Sequence, residues 1–237
     1  MKAIINGRFI IPDESGRFTV EEGLTLFFDE KIQRIHPAAT ISEDEREGLE
    51  ECIDARGAYV SPGFLNVHIH GCVGADTMDD DTEAIRKMQR FQAKTGVTSF
   101  LPTTMTYDFP TLERAFRHVR EAMAREEGAR VLGCHMEGPF ISPAKKGAQA
   151  EKNIAKADFE KIAPYEDIVK IITVAPEELH DQGKFIADCH ERGIVVSLGH
   201  TAADYETARQ AIEQYGAKHA VVLADPADRA ALPLGIA

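Results

Sequence analysis

The sequence predicts an α/β fold: a TIM-type (β/α) barrel that is incomplete, with about six of its eight strands, preceded by a small β-sandwich module. Strand-like and helix-like segments alternate after Tyr59, which is typical of parallel βαβ units. No glycine-rich phosphate loop follows the first of these strands, where a dinucleotide-binding sheet would need one. Metal-type side chains instead follow alternate strands. This favours a barrel, because barrels carry their chemistry at the carboxyl ends of their strands.

The first domain, residues 1–58, contains short β-prone runs in place of this alternation. Turn signals such as Asn6-Gly7 and Ser15-Gly16 separate the runs, so we expect a small antiparallel β-module. The acidic segment 42–51 is expected on its surface. The β-prone runs are residues 3–5, 9–11, 18–20 and 24–28.

The second domain, residues 59–237, contains the predicted barrel units, and glycines at or near the helix ends suggest C-terminal caps. The predicted strands are residues 63–70, 98–103, 130–137, 169–174, 194–198 and 217–224. The predicted helices are residues 82–95, 110–126, 179–192 and 205–215, with a short helix at 157–162. Because eight βα units take ~250 residues, we expect a barrel truncated after about residue 220.

Composition narrows the classes of partner. The 237 residues carry a net charge of −12, which argues against nucleic-acid and anionic-membrane partners but leaves room for a small anionic substrate. No signal-like segment or membrane-length apolar run is visible. The four cysteines are scattered and form no CxxC pair, so a reducing, cytoplasmic location is expected.

Two histidines close the first predicted barrel strand. His68 and His70 stand two residues apart at the end of an apolar run that predicts a buried strand. Alternation along a strand puts both imidazoles on one face, with Val67 and Ile69 on the other. Two imidazoles at one strand end make half of a divalent metal site. The alternative is a chance pair at a strand edge.

Two further strand ends carry metal-type side chains. Glu137 ends the third strand, where a carboxylate can ligate or bridge metal ions, and Gly138-Pro139 break the strand after it. His200 follows the fifth strand, with Gly199 before it. Taken alone, each could be a surface glutamate or a helix-capping histidine, but together with His68 and His70 they favour a metal site. His135 lies deeper in its strand and is expected to be a packed, hydrogen-bonded core histidine.

These motifs resemble the amidohydrolase superfamily and, within it, the N-acetylglucosamine-6-phosphate deacetylase family. The resemblance extends from the N-terminus to about residue 220 and implies metal-dependent hydrolysis of an N-acetyl group, giving glucosamine 6-phosphate and acetate. The superfamily's entry signature is matched by Asp54-Ala55-x-Gly57, Val60-x-Pro62-Gly63-Phe64 and His68-x-His70-Gly71. The narrower family is matched by His135-Met136-Glu137-Gly138-Pro139-Phe140, Lys146-Gly147-Ala148-Gln149 and Gly199-His200-Thr201.

The resemblance also implies roles for these residues. Glu137 and His200 would hold the principal metal, and His68 and His70 a second ion where the site is binuclear. Zinc is the expected metal, with iron, manganese or cobalt as alternatives and one or two ions bound. Ala148 and Gln149 would contact the sugar phosphate. The neighbouring Lys145 and Lys146 are read as solvated surface residues, and the family implies a homodimer.

The match ends near residue 220. By spacing from His200, the family's third ligand to the principal metal falls at Val222, and His219 lies too early in the strand to be a good substitute. The family's Asn-Ala substrate pair, strands seven and eight, and the general acid/base aspartate have no counterpart, and Asp225 and Asp228 are no obvious replacements. The catalytic residue is therefore unassigned, and we expect this chain to have little deacetylase activity.

Two other functions remain open at this stage. A dihydroorotase-like or deaminase-like amidohydrolase would commonly carry a metal-bridging lysine at the end of strand four, where this sequence has Thr173-Val174-Ala175. A non-catalytic metal-binding remnant of a barrel is the alternative from another class. Neither explains the four ordered motifs as well as a deacetylase does.

Overall fold

The computed structural model of the chain describes residues 1–125, 127–181, 183–217 and 219–220. The chain divides into two compact units between Gly63 and Phe64. Tyr59–Val60, which the sequence assigned to the barrel domain, pairs with Arg8–Pro12 inside the first unit. No helix among the described residues is both long and apolar enough to cross a membrane.

The first unit contains the two small sheets of the β-sandwich. One sheet has the strand order β5-β4-β1-β6 and the other β3-β2-β7. The expectation of an antiparallel module is only partly correct, because the β1–β6 and β2–β7 pairs are parallel. The elements are β1 (Lys2–Ile5), β2 (Arg8–Pro12), β3 (Phe18–Glu21), β4 (Leu24–Phe28), β5 (Ile32–Pro37), α1 (Glu43–Glu47), β6 (Glu51–Asp54) and β7 (Tyr59–Val60).

Local sequence explains the shape of this unit. Alternate or adjacent apolar residues of its strands form the buried interior, including Ala3, Phe9 and Phe27, which are fully buried. The acidic segment lies on the surface as expected. It forms α1, whose first turn is held by a capping box in which Ser42 and Glu45 each accept a backbone N–H of the other.

The second unit is a parallel sheet that follows the order of a partial barrel. Its strands pair in the order β8-β11-β12/β13-β14-β15-β16, which confirms the incomplete TIM-type barrel, the first five strand positions and the described part of the sixth. The elements are β8 (Phe64–Ile69), β9 (Gly71–Cys72), β10 (Ala75–Asp76), α2 (Thr82–Lys94), β11 (Val97–Thr104), α3 (Phe109–Met123), β12 (Arg130–Val131), β13 (Cys134–Glu137), β14 (Val169–Val174), α4 (Lys184–Glu191), β15 (Val195–Leu198), α5 (Tyr205–Glu213) and β16 (His219–Ala220).

Three elements differ from their predicted form. The third barrel strand is interrupted between β12 and β13 at Gly133, where a Cβ atom would lie 2.4 Å from the Ile168 carbonyl oxygen. The helix expected over residues 179–192 begins only at Lys184, after a 3₁₀ turn at Pro176–Glu178 and a left-handed Gly183. The short helix expected at 157–162 is the 3₁₀ turn Phe159–Lys161.

The core lies between the sheet and the helices that cover it. Helices α2 and α3 each bury one apolar stripe, which includes Met88 on α2 and Phe116 on α3. Strand β8 does not have the burial expected of it. Phe64 and Leu65 are 63% and 57% exposed, since within the described part of the chain β8 pairs with β11 alone. The predicted end of the sixth strand, with Val222, and also Asp225 and Asp228, lies outside the described residues.

Candidate metal centre

Three strand ends bring four metal-type side chains to one place. His68 lies in β8 and His70 directly after it, Glu137 is the last residue of β13, and His200 lies in the segment just after β15. The parallel pairing of these strands aligns their carboxyl ends, so residues 68 and 200 approach the same carboxylate. Glu137 is the common partner of all three histidines.

The distances define a compact cluster. The Nε2 atoms of His68 and His70 lie 3.3 Å apart. His70 Nε2 lies 3.1 Å from Glu137 Oε2, and His68 Nε2 lies 3.5 Å from Glu137 Oε1. His200 Nε2 approaches Oε1 as well, at 3.4 Å. Glu137 therefore shares one oxygen between His68 and His200 and directs the other toward His70.

Backbone carbonyls orient two of the imidazoles. His70 Nδ1 lies 3.1 Å from the Thr103 carbonyl oxygen, and His200 Nδ1 lies 3.0 Å from the Lys145 carbonyl oxygen. A carbonyl oxygen can only accept a hydrogen bond, so each Nδ1 carries a proton. Each Nε2 is thereby directed at Glu137, which is the arrangement that metal-binding histidines commonly have.

The cluster shifts the proton affinities of its members. Burial alone would raise the pKa of Glu137, but hydrogen bonds from His200 and His70 and their charge hold that pKa well below its usual range. The hydrogen bond to Glu137 raises the pKa of both His70 and His200. Burial lowers the pKa of His68, despite the attraction of Glu137. Glu137 therefore stays ionised, and an ionised carboxylate attracts a cation.

The residues fit a divalent metal ion. One ligand atom each from His68, His70 and Glu137 lies within 4.8 Å of the others. Ligand atoms ~2.1 Å from a tetrahedral zinc ion lie ~3.4 Å apart, close to the separations seen here. His200 lies outside that group of three, although its Nε2 is 3.4 Å from Glu137 Oε1.

Comparison with known proteins identifies the family of the chain. The model of the amidohydrolase family matches residues 59–231 of the chain. The chain belongs to the amidohydrolase family. The family resemblance of the sequence is thus confirmed, and the members to which the chain is similar include N-acetylamino-sugar-phosphate deacetylases.

Three relatives show the extent of the similarity. N-acetylglucosamine-6-phosphate deacetylase of Bacillus subtilis (strain 168) is 39% identical over 167 residues, which are 67% of this chain and 41% of that protein. N-acetylgalactosamine-6-phosphate deacetylase of Escherichia coli O157:H7 is 34% identical over 160 residues, or 64% of this chain and 41% of that protein. The crystal structure of N-acetylglucosamine-6-phosphate deacetylase from Pasteurella multocida superposes with a TM-score of 0.79 at 32% identity, covering 92% of this chain and 55% of that one. The chain therefore spans about half the length of these proteins.

His135 of this amidohydrolase packs against the cluster, with its ring centroid 4.8 Å from that of His68. Its ring is buried, with Nδ1 2.8 Å from the Val67 carbonyl oxygen and Nε2 2.7 Å from the Thr173 hydroxyl. Both ring nitrogens are thus used in hydrogen bonds, as expected of a packed histidine. Burial lowers the pKa of His135 to about 4, although its bond to Val67 favours the charged form.

A cleft of about 380 Å³ opens onto the cluster. Ala148 and Gln149, which the resemblance implies as substrate contacts, line it together with the metal-type residues. Lys146 lies 4.0 Å from Glu151, in an ion pair at the surface. A larger cavity of about 620 Å³ lies against α4 and α5, and none of the four clustered side chains lines it.

Several residues that build the site escape sequence reasoning. Glu177 binds the Thr201 hydroxyl and the Ala202 N–H, fixing the turn after His200, whose own φ of 50° is left-handed. Thr103 and Lys145 orient His70 and His200 through their backbone carbonyls. Backbone groups carry no residue-type signal, so no pattern in the sequence could identify them. The side chain of His219 is outside the described part, and the expectation that it is a poor substitute ligand stays a prediction.

Proposed function

We propose that this chain provides the metal-holding part of a deacetylase that hydrolyses the N-acetyl group of N-acetylglucosamine 6-phosphate to glucosamine 6-phosphate and acetate. The observation that carries the proposal is the convergence of His68, His70 and His200 on Glu137 at the carboxyl ends of barrel strands. Similarity to deacetylases supports the substrate class.

The chemistry of an amide supports a metal at this position. An amide carbonyl is a poor electrophile, and a bound divalent ion supplies both polarisation of the carbonyl and a water molecule of lowered pKa. Zinc suits the imidazole and carboxylate ligands best. Glu137 and His200 would hold the principal ion, and His68 and His70 a second one. The ionised Glu137 keeps the centre attractive to cations at neutral pH.

The cleft suits a small ligand. Its volume of about 380 Å³ lies within the range of small-molecule sites, ~300–1,000 Å³. We assign Ala148 and Gln149 to its substrate-facing wall on the strength of the family resemblance and their place in the lining. All four cysteines are free, which supports a cytoplasmic location. The homodimer that the resemblance implies stays a prediction.

The end of β14 weighs against an amidohydrolase with a metal-bridging lysine. Thr173, near the carboxyl end of β14, faces the cleft and binds His135. Lys170 lies toward the other end of the strand, where its Nζ is 3.4 Å from the Glu166 carbonyl oxygen. The described residues of this strand end therefore place no lysine beside Glu137.

The test is acetate release from N-acetylglucosamine 6-phosphate in the presence of zinc. It compares the 237-residue chain with a chimera that joins residues 1–220 to the corresponding C-terminal part of the Bacillus subtilis relative. We expect the chimera to release acetate and the chain itself to be much slower, because Val222 stands where the family has a metal ligand. N-acetylgalactosamine 6-phosphate is the second substrate, since one relative is named for it.

Two variants of the chimera give this test its controls. Glu137→Gln should abolish acetate release, whereas His190→Asn, on the exposed side of α4, should leave it unchanged. A well-folded chimera that binds zinc but releases acetate from neither substrate would contradict the proposed function. Equal rates in chain and chimera would show that the ligand position assigned to Val222 is wrong.

A further inference from the structure

The Gln149 side chain connects two strand ends. Gln149 is 4% exposed, and its Nε2 donates a hydrogen bond to Glu137 Oε2 at 2.9 Å. Its Oε1 accepts from the Thr106 backbone N–H at 2.8 Å. Both ends of the amide are therefore engaged, one at the carboxylate that ends β13 and the other just beyond the end of β11.

The orientation of the amide follows from the chemistry of its partners. A backbone N–H can only donate and an ionised carboxylate can only accept. Gln149 must therefore present its oxygen to Thr106 and its amino group to Glu137. Exchanging the two ends would lose both hydrogen bonds, so the donor facing Glu137 is fixed.

Thr106 is itself held firmly in place. Asn153 Nδ2 donates to the Thr106 carbonyl oxygen at 3.1 Å, and the Thr106 hydroxyl lies 3.4 Å from the Glu137 carbonyl oxygen. Gly138 packs against the same threonine so closely that a Cβ atom would lie 2.1 Å from its hydroxyl. The two hydrogen bonds of Gln149 thus link the end of the Glu137 side chain to a backbone segment that is itself held in place.

Glu137 has a particular need for such a partner. The terminal torsion of a glutamate is broad and roughly two-fold, so an unrestrained carboxylate rotates readily. Here Oε1 must serve His68 and His200, while Oε2 faces His70. The Gln149 donor meets Oε2 alone and so distinguishes the two oxygens.

We propose that Gln149 is a positioning residue that fixes the rotation of the Glu137 carboxylate between the two metal positions. The proposal rests on the metal site of the proposed function and adds a role to the substrate contact that the family resemblance implies. Loss of an interaction around the ligands of a metal typically lowers metal affinity by ~10- to 100-fold.

The experiment titrates the purified 237-residue chain with Co²⁺, using a competing chelator for affinity and the visible absorption spectrum for ligand geometry. Gln149→Met keeps the length of the side chain and removes both hydrogen bonds. Gln89→Met is the matched control, because it removes the hydrogen bonds of another buried glutamine, to the Arg125 and Ala129 carbonyl oxygens, on a helix that contributes no side chain to the cluster. Gln149→Asn, too short to span both partners, replaces the first variant if it does not fold.

We expect the Gln149 variants to bind Co²⁺ ~10- to 100-fold more weakly, with an altered spectrum, and Gln89→Met to keep the affinity and spectrum of the unmodified chain. Unchanged affinity and spectrum in a folded Gln149 variant would overturn the positioning role. Equal changes in Gln89→Met would also overturn it, because loss of any buried glutamine would then have the same effect on the site. Glu137→Gln separates the two proposals, because unchanged Co²⁺ binding there would refute the metal site itself.

Discussion

His200 Nδ1 lies 3.0 Å from the carbonyl oxygen of Lys145, a residue 55 positions earlier in the chain. This contact turns the opposite ring nitrogen toward Glu137, although the backbone of His200 is left-handed with a φ of 50°. The loop after β13 therefore orients the histidine that follows β15. The centre depends on the packing of these segments as much as on the identity of its ligands.

The first prediction concerns the principal ion. Replacing Glu137 by Gln or His200 by Asn should lower zinc affinity by at least ~10- to 100-fold, because each removes a proposed ligand and even loss of a hydrogen-bond partner of a ligand typically has an effect of that size. Zinc stoichiometry after dialysis measures the loss. His190→Asn, an exposed histidine on α4, is the control. Undiminished zinc in both variants would refute the assignment.

The second prediction concerns the histidine pair at the end of β8. Replacing His68 and His70 together by Asn should remove one of two bound ions and leave the ion held by Glu137 and His200, because the pair forms one end of the cluster. Metal content at saturating zinc distinguishes the outcomes. A variant that still binds two ions per chain would show that the pair is not a ligand set.

The third prediction compares two glycines with nearly equal backbone angles. Gly138 has a φ of +74° and a Cβ there would lie 2.1 Å from the Thr106 hydroxyl, whereas Gly193 has a φ of +73° and open space around it. Gly193→Ala should cost ~1–2 kcal/mol of unfolding free energy through backbone strain alone. Gly138→Ala should cost ~1–3 kcal/mol more, because overpacking is added.

Urea denaturation of both glycine variants measures these costs. Gly138→Ala should also weaken zinc binding, since it displaces the residue that holds Gln149. Equal costs in the two variants would mean that the segment around Thr106 moves to accommodate the added methyl group. Thr106 would then not be the rigid anchor that we describe for Gln149.

The fourth prediction concerns pH. The pKa of His135 is about 4 in the folded chain and ~6.5 in an unfolded one, so between these values the unfolded state binds the additional proton. Stability therefore rises with pH through this window, and His135 contributes a loss of about 3 kcal/mol on acidification from above pH 6.5 to pH 4. Above pH 7.5 the contribution is constant.

Urea midpoints between pH 4.5 and 8, measured with a chelator to remove metal effects, check this window. His135→Gln should show a shallower dependence of unfolding free energy on pH than the unmodified chain, whatever its stability at pH 8. Parallel curves would show that His135 titrates alike in both states and that its burial has no energetic effect.

Sequence reasoning recovered the elements whose signals are local. Apolar periodicity and terminal glycines placed α2 and α3 to within a few residues, and the strand ends located Glu137 and the histidines. The features that could not be predicted depend on residues that are distant in sequence. Asn153 and Thr106 meet across 47 positions, for example, and their bond involves a carbonyl that every residue has.

Burial was the least predictable property. The apolar run before His68 predicted a buried strand, yet Phe64 is 63% exposed. Hydrophobicity reports which face a strand would bury, whereas burial requires a neighbour to cover it. Within the described residues β8 has only β11 beside it. The parallel pairing of β6 with β1 and of β7 with β2 was missed for a similar reason. Whether two strands run parallel depends on the path of the chain between them.

Because the proposed ligands lie at separate strand ends, binding of the metal would be coupled to folding of the chain. An ion held between residues 68 and 200 would act as a cross-link that closes a long loop of the chain and would stabilise only the folded form. At a free ion concentration one hundred times the dissociation constant, this linkage amounts to ~2.7 kcal/mol, a large share of the stability of an ordinary domain. The amount of folded protein in a cell would then follow the supply of the metal.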